Sequence, residues 1–163
     1  MKLRKLKTAD APFMLEWMHD ASVVHDLRTN FAVKTLEDCI SFITMAQDTK
    51  ENLHLAIVDE NDTYMGTVSL KHITKTSAEF GITVRKCAMG NGFSKYAMQH
   101  IIETGFKQLG LQKIYWCVAP ENHRAVRFYD KNMFDRCLAP AEAQHFYSAG
   151  EINHYLWYEV VSS

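Results

Sequence analysis

The sequence predicts one mixed α/β domain spanning residues 1–163, with a central sheet of about seven strands and helices on both faces. Three observations carry this. Short apolar runs bounded by turn residues occupy 53–58, 64–70 and 78–84, and read as an antiparallel meander. A helical repeat follows over 94–109, with Ala97, Met98, Ile101, Ile102, Gly105 and Phe106 on one face. A further apolar run at Lys113–Val118 completes a β-α-β crossover over 78–118, which makes the fourth and fifth strands parallel neighbours.

In chain order, Leu3–Leu6 is the first strand. Thr8 is placed to cap a helix whose apolar face is Ala11, Met14, Leu15 and Met18. Thr35 opens a second helix with Asp38 three residues on, a capping-box pair, and its face is Leu36, Cys39, Ile40, Phe42 and Ile43. The cluster Asp59–Asp62 turns the chain between the second and third strands. Gly110 stops the long helix and Asn122 caps the next one. Two last strands are expected near 134–138 and 152–160, with Gly150 between them.

Bulk properties narrow the function. The 163 residues are 47% hydrophobic and 23% charged, the composition of an ordinary globular domain. A net charge of −1 supplies no basic field, so direct nucleic-acid binding is not expected. No stretch reaches the ~18 apolar residues of a membrane span, and no apolar run follows the basic start, so a cytoplasmic protein is expected. Cys39, Cys87, Cys117 and Cys137 are scattered without Cys-x-x-Cys spacing and read as reduced thiols. None of the eight histidines forms a ligand pair with a neighbour, so no metal is expected.

The chemistry concentrates in two segments. Val84–Ser94 contains Met89-Gly90-Asn91-Gly92-Phe93-Ser94, a strand end, a Gly-x-Gly loop and a helix start. Such a junction aims unpaired backbone N–H groups and a helix dipole at an anion, and glycine lets the anion approach the backbone. The segment lacks the Gly-Lys-[Ser/Thr] of a Walker loop, and Lys95 stands where the dinucleotide fingerprint has its third glycine. The second segment, Asn122–Phe134, is a helix able to turn Asn122 and Tyr129 toward the same ligand. Together they point to a phosphate-bearing cofactor with a proton donor beside it.

The two segments resemble those of the GNAT family, the Gcn5-related N-acetyltransferases that use acetyl-CoA. Met89 to Ser94 is similar to the family's [Gln/Arg]-x-x-Gly-x-[Gly/Ala] pyrophosphate motif. It departs at Met89, where the family has Gln or Arg, and at Ser94, where it has Gly or Ala. Asn122 to Tyr129 matches Asn-x-x-Ala-x-x-[Phe/Leu]-Tyr, and Met133 stands where a Gly-Phe pair is usual. The resemblance implies that the parallel fourth and fifth strands splay apart and that the pantetheine arm pairs with the backbone of Ile82 to Val84. The implied cofactor set is Ile82, Val84, Met89, Gly90, Asn91, Gly92, Phe93, Ser94, Asn122 and Phe128. With Met89 carrying no charge, phosphate affinity would rest on backbone N–H groups and on Arg85, Lys86 or Lys95.

Transfer of an acyl group from a thioester to an amine expels a thiolate. A neutral phenol, of pKa ~10, can protonate a leaving thiolate of pKa ~8.5, and the resemblance places Tyr129 by the cofactor sulfur. The amine must lose a proton, since an α-amine of pKa ~8 is about 10% neutral at pH 7. Glu79, on the strand that enters the cofactor loop, is the candidate base, with His72 and His54 behind it. Leu15-Glu16-Trp17, Ala78-Glu79-x-Gly81 and Gly150–His154 resemble the RimJ/RimL-like branch, which acetylates ribosomal-protein N-termini. That branch implies an acceptor site around Trp17, His25, Arg28, Phe31 and His145–Tyr147. No pattern there names the amine, which could be a protein N-terminus, a polyamine, an amino sugar or another small amine. A homodimer is compatible with the resemblance. The competing reading is a non-catalytic acyl-CoA-binding module on the same fold.

Overall fold

The computed structural model describes residues 1–163. Seven strands form one sheet in the order β1-β2-β3-β4-β5-β7-β6. They are β1 (Lys2–Lys5), β2 (Leu53–Val58), β3 (Tyr64–Lys71), β4 (Ser77–Val84), β5 (Lys113–Val118), β6 (Asp135–Cys137) and β7 (Leu156–Val161). Every neighbouring pair is antiparallel except β4 and β5. The helices are α1 (Ala11–Met18), α2 (Ala21–Val24), α3 (Leu36–Met45), α4 (Phe93–Lys107), α5 (His123–Lys131) and α6 (Ala149–His154). The expected architecture, with its parallel fourth and fifth strands, is the observed one.

Strand alternation sorts the side chains onto two faces. Ile57, Val68, Leu70, Ala78, Phe80, Ile114, Trp116 and Tyr158 pack with Ala97, Met98 and Ile101 of α4 and Tyr129 of α5. On the opposite face Ala56, Val58 and Tyr64 meet Ala11, Met14 and Met18 of α1 and Cys39 and Ile43 of α3. A third cluster of Tyr115, Ala143 and Trp157 extends that second face toward the chain's end. Gly105 lets α4 lie close to the sheet, since a Cβ there would sit 2.8 Å from Ile114 Cδ1.

Several details differ from the sequence expectation. Thr8 does not cap α1; residues Thr8–Asp10 make a 3-10 turn, and α1 begins at Ala11 with Pro12 in its first turn. The Asp10 carboxylate is drawn into the turn, accepting from the Lys7 N–H at 2.8 Å and from both terminal nitrogens of Arg4. In α3 the Thr35–Asp38 capping box forms, but Leu36 and Ile40 are exposed because the helix docks only through the Cys39–Ile43 stripe. The expected strand from Ile152 is overturned. Ser148 and Glu151 close a capping box that starts α6, so Gly150 lies inside a helix and β7 begins only at Leu156.

Candidate active site

β4 and β5 pair only over Ser77–Glu79 and Lys113–Tyr115. Beyond Glu79, β5 continues with β7 while β4 runs on beside β3 alone, so the backbone from Phe80 to Val84 has a free edge toward β5. The two strands diverge because different structures pull on their ends. A 3-10 turn at Lys86–Ala88 carries β4 toward α4, and Asn122 starts α5 just after β5. The divergence opens a cleft of about 620 Å³ that passes through the sheet, lined at once by Ile82, Val84, Gly90, Gly92, Asn122, Phe128, Tyr129 and Glu79. Ligands in α/β sheets bind in just such a crevice beyond the strand ends.

At one mouth is the glycine loop. Gly90 and Gly92 adopt φ of 78° and 84°, a conformation that glycine takes freely. The N–H groups of Gly90, Gly92, Phe93, Ser94 and Lys95 make no backbone hydrogen bond within the chain, and a Cβ at Gly90 would meet nothing within 4 Å. Five free donors at a fifteen-residue helix start are chemically suited to a pyrophosphate. Met89 brings no charge, but the Arg124 guanidinium lies 2.7 Å from its sulfur and also lines the cleft, as does Lys95. Arg85, one of the expected phosphate cations, turns away: it pairs with Glu16 at 2.6 Å and stacks on Phe13. The side chains of Asn91 and Phe93 also face elsewhere. Asn91 Nδ2 donates to the carbonyls of Cys87 and Met89, and the Phe93 ring is core, which leaves its N–H for the ligand.

In the middle of the cleft stands Tyr129. Its ring packs against Trp116 and Tyr158 at centroid distances of 5.4 and 5.2 Å, while its hydroxyl has no partner in the chain. Burial raises its pKa above that of an ordinary phenol, so it is held protonated. Asn122 caps α5 by accepting the Ala125 N–H, and it also lines the cleft.

On the other face of the sheet the cleft reaches Glu79, whose side chain is 3% exposed. The Tyr147 hydroxyl donates to its Oε2 at 2.5 Å, His72 Nδ1 faces its Oε1 at 3.2 Å and Lys71 Nζ lies 3.9 Å from Oε2. His72 is itself fixed: its φ is 53°, its N–H donates to Asn52 and its ring stacks on Phe146 at 3.5 Å. Burial lowers its pKa, only partly offset by the charge of Glu79. Arg28 and Phe31 line this end of the cleft, and Arg28 lies 4.3 Å over the Tyr147 ring while bonding Glu151 and the Phe146 carbonyl. Trp17 does not join them. It is 4% exposed in the core under Phe31, and its Nε1 donates to the Tyr64 hydroxyl. Lys71, Arg124, Cys117 and Tyr155 line the cleft without having been singled out from the sequence. For Lys71 the signal was present in its pairing opposite Glu79 across two predictable strands.

A family model described as "Acetyltransferase (GNAT) domain" matches residues 1–135, most of the chain. The chain belongs to the GNAT acetyltransferases. It is 28% identical to an uncharacterised N-acetyltransferase, p20, of Bacillus licheniformis, over 83% of this chain and 79% of that protein. It is also 28% identical to a spermidine N(1)-acetyltransferase of Vibrio cholerae, over 69% and 71%. The solved structure of a Vibrio cholerae spermidine N-acetyltransferase with CoA and spermine superposes with a TM-score of 0.80 at 22% identity, covering 98% and 94%. The GNAT chain is therefore an N-acetyltransferase with acetyl-CoA as its co-substrate, and the free N–H groups at the loop are consistent with that on geometry. No group of three or more His, Cys, Asp or Glu residues could hold a metal ion. No helix is long and apolar enough to cross a membrane.

Proposed function

We propose that this GNAT protein moves an acetyl group from acetyl-CoA to a primary amine by direct attack, with Tyr129 as general acid and Glu79 as the group that receives the amine proton. One observation carries the reading: a single cleft through the sheet joins five free N–H donors, an unpartnered buried phenol and a buried carboxylate. Acetyl-CoA supplies the thioester. The loop N–H groups from Gly90 to Lys95, with Arg124 and Lys95, hold its phosphates. The free edge of β4 at Ile82–Val84 and the Asn122 amide hold its arm, and Phe128 packs beside it. The amine enters from the face of Arg28 and Phe31 and loses its proton toward Glu79. Tyr129 gives its proton to the departing thiolate and regains one from solvent.

The acceptor belongs to the primary amines, the class named for the spermidine-acetylating relatives, and placement in the RimJ/RimL-like branch and in the cytoplasm accompanies this reading. The uncharged Met89 leaves room for the non-catalytic alternative, but Arg124, beside that position, brings a cation to it. The test is calorimetry with acetyl-CoA followed by thiol release against an amine library. A Kd of ~10 μM predicts a stability gain of roughly 2.7 kcal/mol at hundredfold excess. No binding at millimolar acetyl-CoA sinks the reading, and binding with no turnover on any amine moves it to the non-catalytic module.

A further inference from the structure

The acceptor end of the cleft has a charge pattern of its own. Its ionisable lining is Asp26, Arg28, Lys71 and Glu79, two acids and two bases. A polycation needs several carboxylates free to meet its charges, and here Glu79 is 3% exposed and already hydrogen-bonded by Tyr147. Asp26 lies 2.9 Å from His25 Nε2, an ion pair only when that imidazole is protonated. Glu79 accepts the Tyr147 hydroxyl and faces His72 Nδ1 at 3.2 Å, with Lys71 further off at 3.9 Å.

Lys71 is the opposite case. Its side chain is 37% exposed, and its nearest carboxylate, at 3.9 Å, is the one that Tyr147 and His72 already occupy. Its course is built into the sheet. Lys71 pairs across from Glu79, yet the chain leans along β4 over Gly81: a Cβ there would lie 3.4 Å from Cε and 3.5 Å from Nζ. The absent side chain of Gly81 thus lets the ammonium lie where β5 has just left β4. An ammonium with so weak an ion pair, lining a cleft, has unused capacity for an anion.

Building on the acetyltransferase reading, we propose that the acceptor is a primary amine that itself carries an acidic group, carboxylate or phosphate, a few bonds from its nitrogen. The amine meets Glu79 and the acidic group meets Lys71, with Arg28 at the entrance. A polyamine is disfavoured, because its second ammonium would meet the like charge of Lys71 where an acidic group would meet an opposite one.

The experiment measures kcat/KM by thiol release for matched pairs: free amino acids and their amides, glucosamine 6-phosphate and glucosamine, with spermidine as the polycation. Wild type is expected to prefer the acidic member of at least one pair tenfold or more and to leave spermidine the poorest substrate. The carboxylate and phosphate arms tell which acid it is. Lys71→Met, close in volume, is expected to abolish that preference through KM, and a melting temperature checks its fold. Spermidine outperforming every acidic amine, no turnover of any acidic amine while acetyl-CoA binds, or an undiminished preference in Lys71→Met each overturns the proposal. Calorimetry with acetyl-CoA separates the levels: if it binds and only neutral amines or spermidine are acetylated, the acceptor assignment alone falls, and if it does not bind, the acetyltransferase reading falls first.

Discussion

Replacing Tyr129 by Phe isolates one proton. The Tyr129 ring packs on Trp116, Tyr158 and Phe128, and phenylalanine keeps those contacts. The hydroxyl has no partner in the chain, so its removal strands no donor or acceptor, and the stability change should stay within about 1 kcal/mol. Catalysis should suffer far more. General acid assistance contributes roughly 10²–10⁴-fold, or about 3–5 kcal/mol. Tyr147 is the nearest rival by chemistry, but its proton is already given to Glu79. The expected result is a hundredfold or larger drop in kcat, with acetyl-CoA affinity within threefold of wild type and an unchanged melting temperature. Burial holds the phenol protonated above the range of an ordinary tyrosine, so no loss of kcat from its ionisation is expected up to about pH 10. Single-turnover thiol release and calorimetry measure the two halves separately. A variant that keeps more than half of wild-type kcat would remove Tyr129 from the mechanism.

Gly92→Ala should act on the loop conformation. A Cβ would lie 3.8 Å from Met1 Cε, so there is no clash, but the φ of 84° costs an alanine about 1–2 kcal/mol. Tm should fall by roughly 2–8 °C and the acetyl-CoA Kd should rise at least tenfold as the N–H array shifts; normal binding would place the phosphates elsewhere. Met133, 86% exposed at φ 63°, occupies a left-handed position, and Met133→Gly should stabilise by roughly 0.5–1 kcal/mol in urea denaturation. Burial lowers the His54 pKa to about 4, beneath its unfolded value of ~6.5. The unfolded chain therefore takes up the proton first, so this stability is complete above pH 6.5 and drains away as pH falls toward 4. Across that window His54→Gln should flatten the loss by about 2–3 kcal/mol relative to wild type, and parallel stability curves would show that His54 does not titrate as its burial implies.

Sequence alone determined the order of the strands, the parallel β4–β5 pair and the two segments that line the cleft. These signals are local. Alternating and helical apolar patterns reflect the nearest neighbours of each residue, and Gly90, Gly92 and Asn122 mark backbone conformations that few other residues adopt. Local cues were also enough at places they were not used: Ser148-x-x-Glu151 announced α6 as clearly as Thr35-x-x-Asp38 announced α3. Tertiary structure decided the rest. Trp17 reads as an acceptor-site residue until Tyr64, 47 residues on, takes its N–H into the core. Arg85 reads as a phosphate ligand until Glu16 claims it from the opposite face. Arg124 and Lys71 enter the site only because a splay between two strands opens a passage through the sheet and brings residues far apart in the chain to its walls. Charges and large aromatic side chains take their roles from whichever long-range partner satisfies them, and no pattern over a few residues encodes that partner.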